Sequence, residues 1–190
     1  MRAILACGLV AAAATTGLAG IVNGDFSSPV PSNGIGGGWT STHIDSVGGW
    51  IDIGGTHGGI FRLNDDGNST SDPTVQQTLT ALTPGRLYEI SFEIASWYVV
   101  SAPPDDSDSF EALIGGVVVQ QAGPTQSGVW ETHSFQFAAV ASSAELQFRA
   151  EANGSDNDFA IDGVLIRIVP TPGPLATGFA GLLLAGKRRR

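Results

Sequence analysis

The sequence predicts an all-β fold, an antiparallel β-sandwich, over residues 20–168. Three observations carry this. In the stretch Leu87–Trp97, Tyr88, Ile90, Phe92 and Ile94 fall on one phase, while Glu89, Ser91, Glu93 and Trp97 fall on the other. Side chains alternate across a strand, so one face is apolar and the other polar. Further short runs of this kind recur between clusters of Gly, Pro, Asn, Asp and Ser. Almost nothing in between repeats with helical period. A sheet with one apolar face needs a second layer to cover it, which makes a sandwich.

Taken in order, Ile21–Phe26 reads as the first strand and a Gly-rich loop follows as far as Trp39. Short strands are expected at Trp50–Ile53 and Ile60–Asn64, then a polar loop at 65–73. Val75–Trp97 reads as two antiparallel strands joined at Pro84-Gly85, where Pro presets φ and Gly accepts the positive φ of a type II turn. An acidic loop at 101–109 separates this unit from Phe110–Ile114 and Val117–Gln121, which flank Gly115-Gly116, a pair suited to a primed hairpin turn. Trp130–Ala138 and Ala144–Ala150 alternate again, placing Phe135, Phe137, Leu146 and Phe148 inward. Phe159–Val169 is apolar on both phases for much of its length and reads as a central strand.

Neither end reads as part of that domain. Arg2, the small and apolar run Ala3–Ala14, and Gly17-Leu18-Ala19 fit a secretory signal peptide over residues 1–19. Cys7, the one cysteine, lies inside it, so the exported domain would rely on its core rather than on disulfides. Residues 169–190 combine a Pro/Gly linker, an apolar segment at about Leu175–Gly186, and the basic tail Lys187, Arg188, Arg189 and Arg190. A spanning helix needs roughly 20 apolar residues, and terminal cations stay on the cytoplasmic side. This predicts a short apolar helix that inserts transiently in the membrane. Net charge is −9. Five of the nine basic residues belong to the two ends, leaving four arginines against all 18 acidic residues, a balance of −14 over 20–168. Phosphate backbones are bound by Lys and Arg, so nucleic acid is excluded as a partner.

The C-terminal layout, with Pro170-Thr171-Pro172 ahead of the apolar segment and basic tail, resembles the PEP-CTERM class of bacterial sorting signals. Thr171 stands where that family has Glu. The resemblance implies an exosortase-like sorting enzyme, cleavage near the motif, and delivery to the cell surface or extracellular matrix. Residues 20–168 resemble the galactose-binding-like jelly roll of many carbohydrate-binding modules and are similar to the choice-of-anchor C family. The matching pieces are IVNGDF at 21–26, the tryptophan loop at 39–50, GGIFRLN at 58–64, the stretch 75–96, VWETHSFQF at 129–137 and DFAIDGVLIRI at 158–168. This resemblance implies a structural Ca²⁺ at Asp25 and Asp162. Calcium takes six to eight oxygens, so backbone carbonyls and further side chains would have to complete the shell.

Sugar recognition needs flat aromatic faces beside polar groups. Trp39 and Trp50, in Gly-rich loops, and Trp97, on the polar phase of its strand, are the expected ligand-binding platforms. Trp130 is expected to pack at the sandwich edge. His43, His57 and His133 show no metal-ligand spacing, and His133 shares the phase of Phe135. There is no nucleophile elbow, cysteine nucleophile or phosphate-binding loop, so the chain reads as a non-enzyme. The expected function is an exported, surface-sorted β-sandwich that binds polysaccharide. The alternatives are a purely structural or adhesive matrix protein without a small ligand and, more distantly, a glycan-active hydrolase, which two clustered carboxylates would favour.

Overall fold

The computed structural model describes residues 19–44, 48–66, 71–96, 109–123, 128–151 and 156–170. These form eleven strands: β1 Gly34–Gly36, β2 Trp39–Thr42, β3 Gly49–Gly54, β4 Gly58–Asp66, β5 Thr74–Leu79, β6 Leu87–Ser96, β7 Ser109–Ile114, β8 Val117–Ala122, β9 Glu131–Ala138, β10 Ala144–Glu151 and β11 Asp156–Ile168. They build two antiparallel sheets, one of six strands in the order β1-β2-β5-β10-β7-β8 and one of five in the order β3-β4-β11-β6-β9. The predicted all-β sandwich is therefore the observed fold. Among the described residues no helix is long and apolar enough to cross a membrane. The expected signal peptide, apolar C-terminal segment, Thr171-Pro172 and basic tail lie outside the described residues, apart from Ala19 and residues 169–170.

The inward phases meet in one aromatic core. Phe148 of β10 packs 5.0 Å from Phe92 of β6 and 5.8 Å from Phe110 of β7, and Phe110 lies 5.7 Å from Phe159 of β11. Phe135 and Phe137 of β9 face the same core, as the alternation predicts. Gly115 and Gly116 both take positive φ in the β7–β8 hairpin, matching a type I′ turn.

Three expectations are corrected. Val75–Trp97 is not a hairpin, because β5 belongs to the six-stranded sheet and β6 to the five-stranded one. The Pro84-Gly85 turn forms, with Arg86 N–H donating to Thr83 O at 3.0 Å and Gly85 at φ 80°. It sits inside a longer arch whose backbone is tied to a neighbouring loop, Leu82 N to Ser142 O and Gly85 N to Ala139 O. Two amphipathic strands joined by a short connection bury their apolar faces equally well by pairing or by facing each other, and here they face.

Ile21–Phe26 is not a strand either. Asn23 and Phe26 take φ of 51° and 45°, which breaks extension and lets Phe26 plunge into the core. Val22 is held by a side chain instead of a ladder: Gln77 Oε1 accepts from Val22 N at 2.9 Å and Gln77 Nε2 donates to Val22 O at 3.0 Å. The Gly-rich loop before Trp39 is a hairpin, β1–β2, turned by Gly37 and Gly38 at positive φ.

Lastly, β11 is the middle strand of its sheet, but its two apolar phases have a local cause. A bulge between Asp162 and Leu165 shifts the register against β6. Phe159 and Ile161 point inward before it, and Val164, Ile166 and Ile168 after it. Leu165, on the other phase, is 66% exposed.

Candidate functional site

The bulge in β11 falls where chemistry collects. Directly opposite residues in a ladder share a face, so the register places Asp162 of β11 beside Glu93 of β6, and Glu93 beside Thr132 of β9, on the outer face of the five-stranded sheet. Two further ranks run parallel: Leu165, Ser91 and Ser134, then Arg167, Glu89 and Gln136. Apart from the exposed Leu165 in its middle rank, the outer face is a band of hydroxyl, amide and charged groups, about 13 Å long from Glu89 to Glu93 at the rise of an extended strand. In its last rank Gln136 Nε2 donates to Glu89 Oε2 at 3.1 Å and Arg167 is paired with Glu89. These hydrogen bonds, that from Gln136 foremost, hold the Glu89 carboxyl below its ordinary range.

The first rank continues sideways in both directions. His57, from the turn between β3 and β4, reaches over Asp162, its Nδ1 lying 3.0 Å from Asp162 Oδ2 and 3.7 Å from Glu93 Oε2. Trp130, just before β9, stacks on the His57 ring with centroids 4.1 Å apart and planes inclined by 17°. Two strands, the β3–β4 turn and the segment leading into β9 thus contribute to one transverse row: imidazole, two carboxylates and an indole. Asp162 is almost fully buried, and Gly163 N–H donates to its Oδ1 at 2.7 Å. Burial pushes the Asp162 carboxyl up; the Gly163 and His57 hydrogen bonds oppose this, and the neighbouring Glu93 adds to it. Glycine is required at 163, where φ is 61° and a Cβ would lie 3.3 Å from Glu93 Oε2.

The sequence-predicted residues are distributed differently. Trp39 is a core residue, 0% exposed, packed 5.3 Å from Phe26, with Nε1 donating to Asn23 O at 3.0 Å; it offers no face to a ligand. Trp50 is half-buried in β3, with Nε1 donating to Phe26 O at 2.6 Å. Trp97 lies outside the described residues. Asp25 is exposed and accepts from Ser27 N at 3.2 Å. The described side chains whose ligand atoms lie within 4.8 Å of one another are His57, Glu93 and Asp162; Asp25 is outside that group. An imidazole nitrogen in the set does not suit an oxygen-only calcium shell. Trp130 and His57 were not among the expected site residues. Their only signal was the outward phase Trp130 shares with Thr132 and Ser134, since His57 arrives from a distant turn.

No protein-family model matches the chain, and no curated protein matches it. Solved structures do. A protein of Bacteroides thetaiotaomicron matches at 10% identity and a TM-score of 0.52, over 78% of this chain and 99% of its own. The CBM22-1–GH10 modules of the Clostridium thermocellum endo-1,4-β-D-xylanase 10B, complexed with xylohexaose, match at 15% identity and a TM-score of 0.52, over 69% of this chain. The CBM22-1–CBM22-2 tandem domain of Paenibacillus barcinonensis Xyn10C matches at 19% and 0.50, over 86%. The chain spans about a quarter of the xylanase structure and about half of the tandem. It shares their jelly-roll fold. At these identities the likeness reaches no further than the fold.

Proposed function

We propose that the chain is a non-catalytic carbohydrate-binding β-sandwich, exported through residues 1–19 and sorted to the cell surface or extracellular matrix through residues 169–190. The observation that carries the binding reading is the outer face of the five-stranded sheet, where ranked hydroxyl, amide and carboxylate side chains end at the His57–Trp130 stack. Hydroxyl-rich ligands are bound by such hydrogen-bonding groups beside an aromatic ring. The fold shared with the xylanase CBM22 modules supports the same reading. Glycan hydrolysis is the second reading, on the paired carboxylates of Glu93 and Asp162, whose oxygens within 4.8 Å of each other stand closer than the roughly 5–9.5 Å at which glycosidase carboxyls work.

A glycan array probed with the full chain, followed by affinity electrophoresis in xylan and galactan gels, separates these. Retention of the parent protein is expected, with Trp130→Ala weakening it about tenfold, the loss of one aromatic contact of about 1.4 kcal/mol. Absence of retention on every glycan would leave the structural or adhesive alternative. Release of reducing ends by the parent but not by Glu93→Gln would establish the hydrolase instead. For sorting, mass spectrometry of the surface-released protein should find Lys187–Arg190 removed. An intact tail would refute processing.

A further inference from the structure

We propose that His57, Glu93 and Asp162 form a binding site for one divalent transition-metal ion of the zinc class. The inference does not depend on carbohydrate binding. The three side chains present one imidazole nitrogen and two carboxylates with their ligand atoms within 4.8 Å of one another. In a tetrahedral shell with bonds of about 2.0–2.2 Å, neighbouring ligand atoms stand about 3.3–3.6 Å apart. The separations from His57 Nδ1, 3.0 Å to Asp162 Oδ2 and 3.7 Å to Glu93 Oε2, bracket that value.

The site is built on rigid parts. Asp162 and Glu93 face each other across a ladder in the middle of a sheet, so backbone pairing sets their spacing. The Gly163 N–H takes up Asp162 Oδ1 and leaves Oδ2 directed at the imidazole. The flat contact with Trp130 fixes the plane of the His57 ring. Glu93, 38% exposed, is the adjustable member and lies on the side open to solvent. Charge points the same way. Among the described residues His57 is the one basic side chain beside either carboxylate, while Arg62, Arg149 and Arg167 pair with other acids. Two carboxylates therefore share one imidazole, an excess of negative charge that a divalent ion neutralises.

Chemistry selects the ion. Calcium and magnesium prefer shells of oxygen alone, whereas mixed imidazole and carboxylate sets suit zinc and its neighbours. Three protein ligands leave a fourth position for water or a ligand oxygen.

Isothermal titration of the EDTA-treated full chain with zinc chloride, and in parallel with calcium chloride, tests this. One saturable equivalent of zinc is expected, with no heat from calcium. His57→Ala and Glu93→Gln should each weaken zinc binding about tenfold or more, with metal-free melting temperatures close to that of the parent. If His57→Ala fails to fold, Glu93→Gln at the half-buried, adjustable position still decides the matter. Cobalt substitution supplies a second readout, a visible absorption band lost in either variant. Absence of saturable zinc binding, parental zinc affinity in either folded variant, or binding of calcium in preference to zinc would overturn the site. Glycan retention measured with and without EDTA is scored separately, so failure of one proposal does not imply failure of the other.

Discussion

Asp158→Ala is expected to lower the unfolding free energy by about 3–5 kcal/mol, the usual cost of removing one partner from a buried ion pair. Asp158 on β11 and Arg62 on β4 are 3% and 4% exposed and pair across the ladder on the outer side of the five-stranded sheet. Without the carboxylate, the Arg62 guanidinium keeps its charge in a place water does not reach. A domain of this size is stable by about 5–15 kcal/mol, so the variant would be marginal. Urea denaturation would show a lower midpoint with an unchanged slope. The double replacement Arg62→Met with Asp158→Leu should recover most of the loss, because a well-packed apolar pair avoids desolvating two charges. A cost below about 1 kcal/mol for Asp158→Ala would mean the pair is hydrated like a surface bridge.

Trp39→Ala is expected to cost about 3–5 kcal/mol through the cavity it leaves between Phe26 and Phe148. Trp39→Phe keeps the ring and forfeits the hydrogen bond to Asn23 O, a loss of about 1 kcal/mol. Glycan retention by Trp39→Phe should equal that of the parent, since the residue touches only the interior. A Trp39→Phe protein that folds normally yet loses glycan binding would move the ligand to the other end of the sandwich.

Trp39 and His57 mark where the sequence stops being legible. Alternation along β6, β9 and β10 is a local signal, and it named the inward residues Tyr88, Ile90, Phe92, Phe135, Phe137, Leu146 and Phe148 correctly. The β7–β8 hairpin was equally readable, because Gly115-Gly116 carries its own turn geometry. Sheet membership was not readable: nothing within 75–97 distinguishes strands that pair from strands that face. Gly-rich surroundings suggested that Trp39 was accessible, but those glycines make the β1–β2 turn and bring the ring into the core. Of the metal-type cluster, Asp162 was visible as a polar residue in an apolar strand. His57 was not, because its relation to Asp162 spans 105 residues and depends on the β3–β4 turn reaching over β11.

The position of β11 has a kinetic consequence. Among the described residues it comes last of the eleven strands yet lies third of five in its sheet. Its contacts join residues 96 apart on the β4 side and 78 apart on the β6 side. Closing such long loops precedes any reward from pairing, and folds dominated by distant contacts take milliseconds to seconds to form. Until β11 docks, β4 and β6 each present a bare edge of unpaired amides and carbonyls, the kind of edge through which chains associate wrongly. A chain growing from its N-terminus therefore carries two unjoined halves, β3–β4 and β6–β9, until residues 156–168 arrive and zip them together.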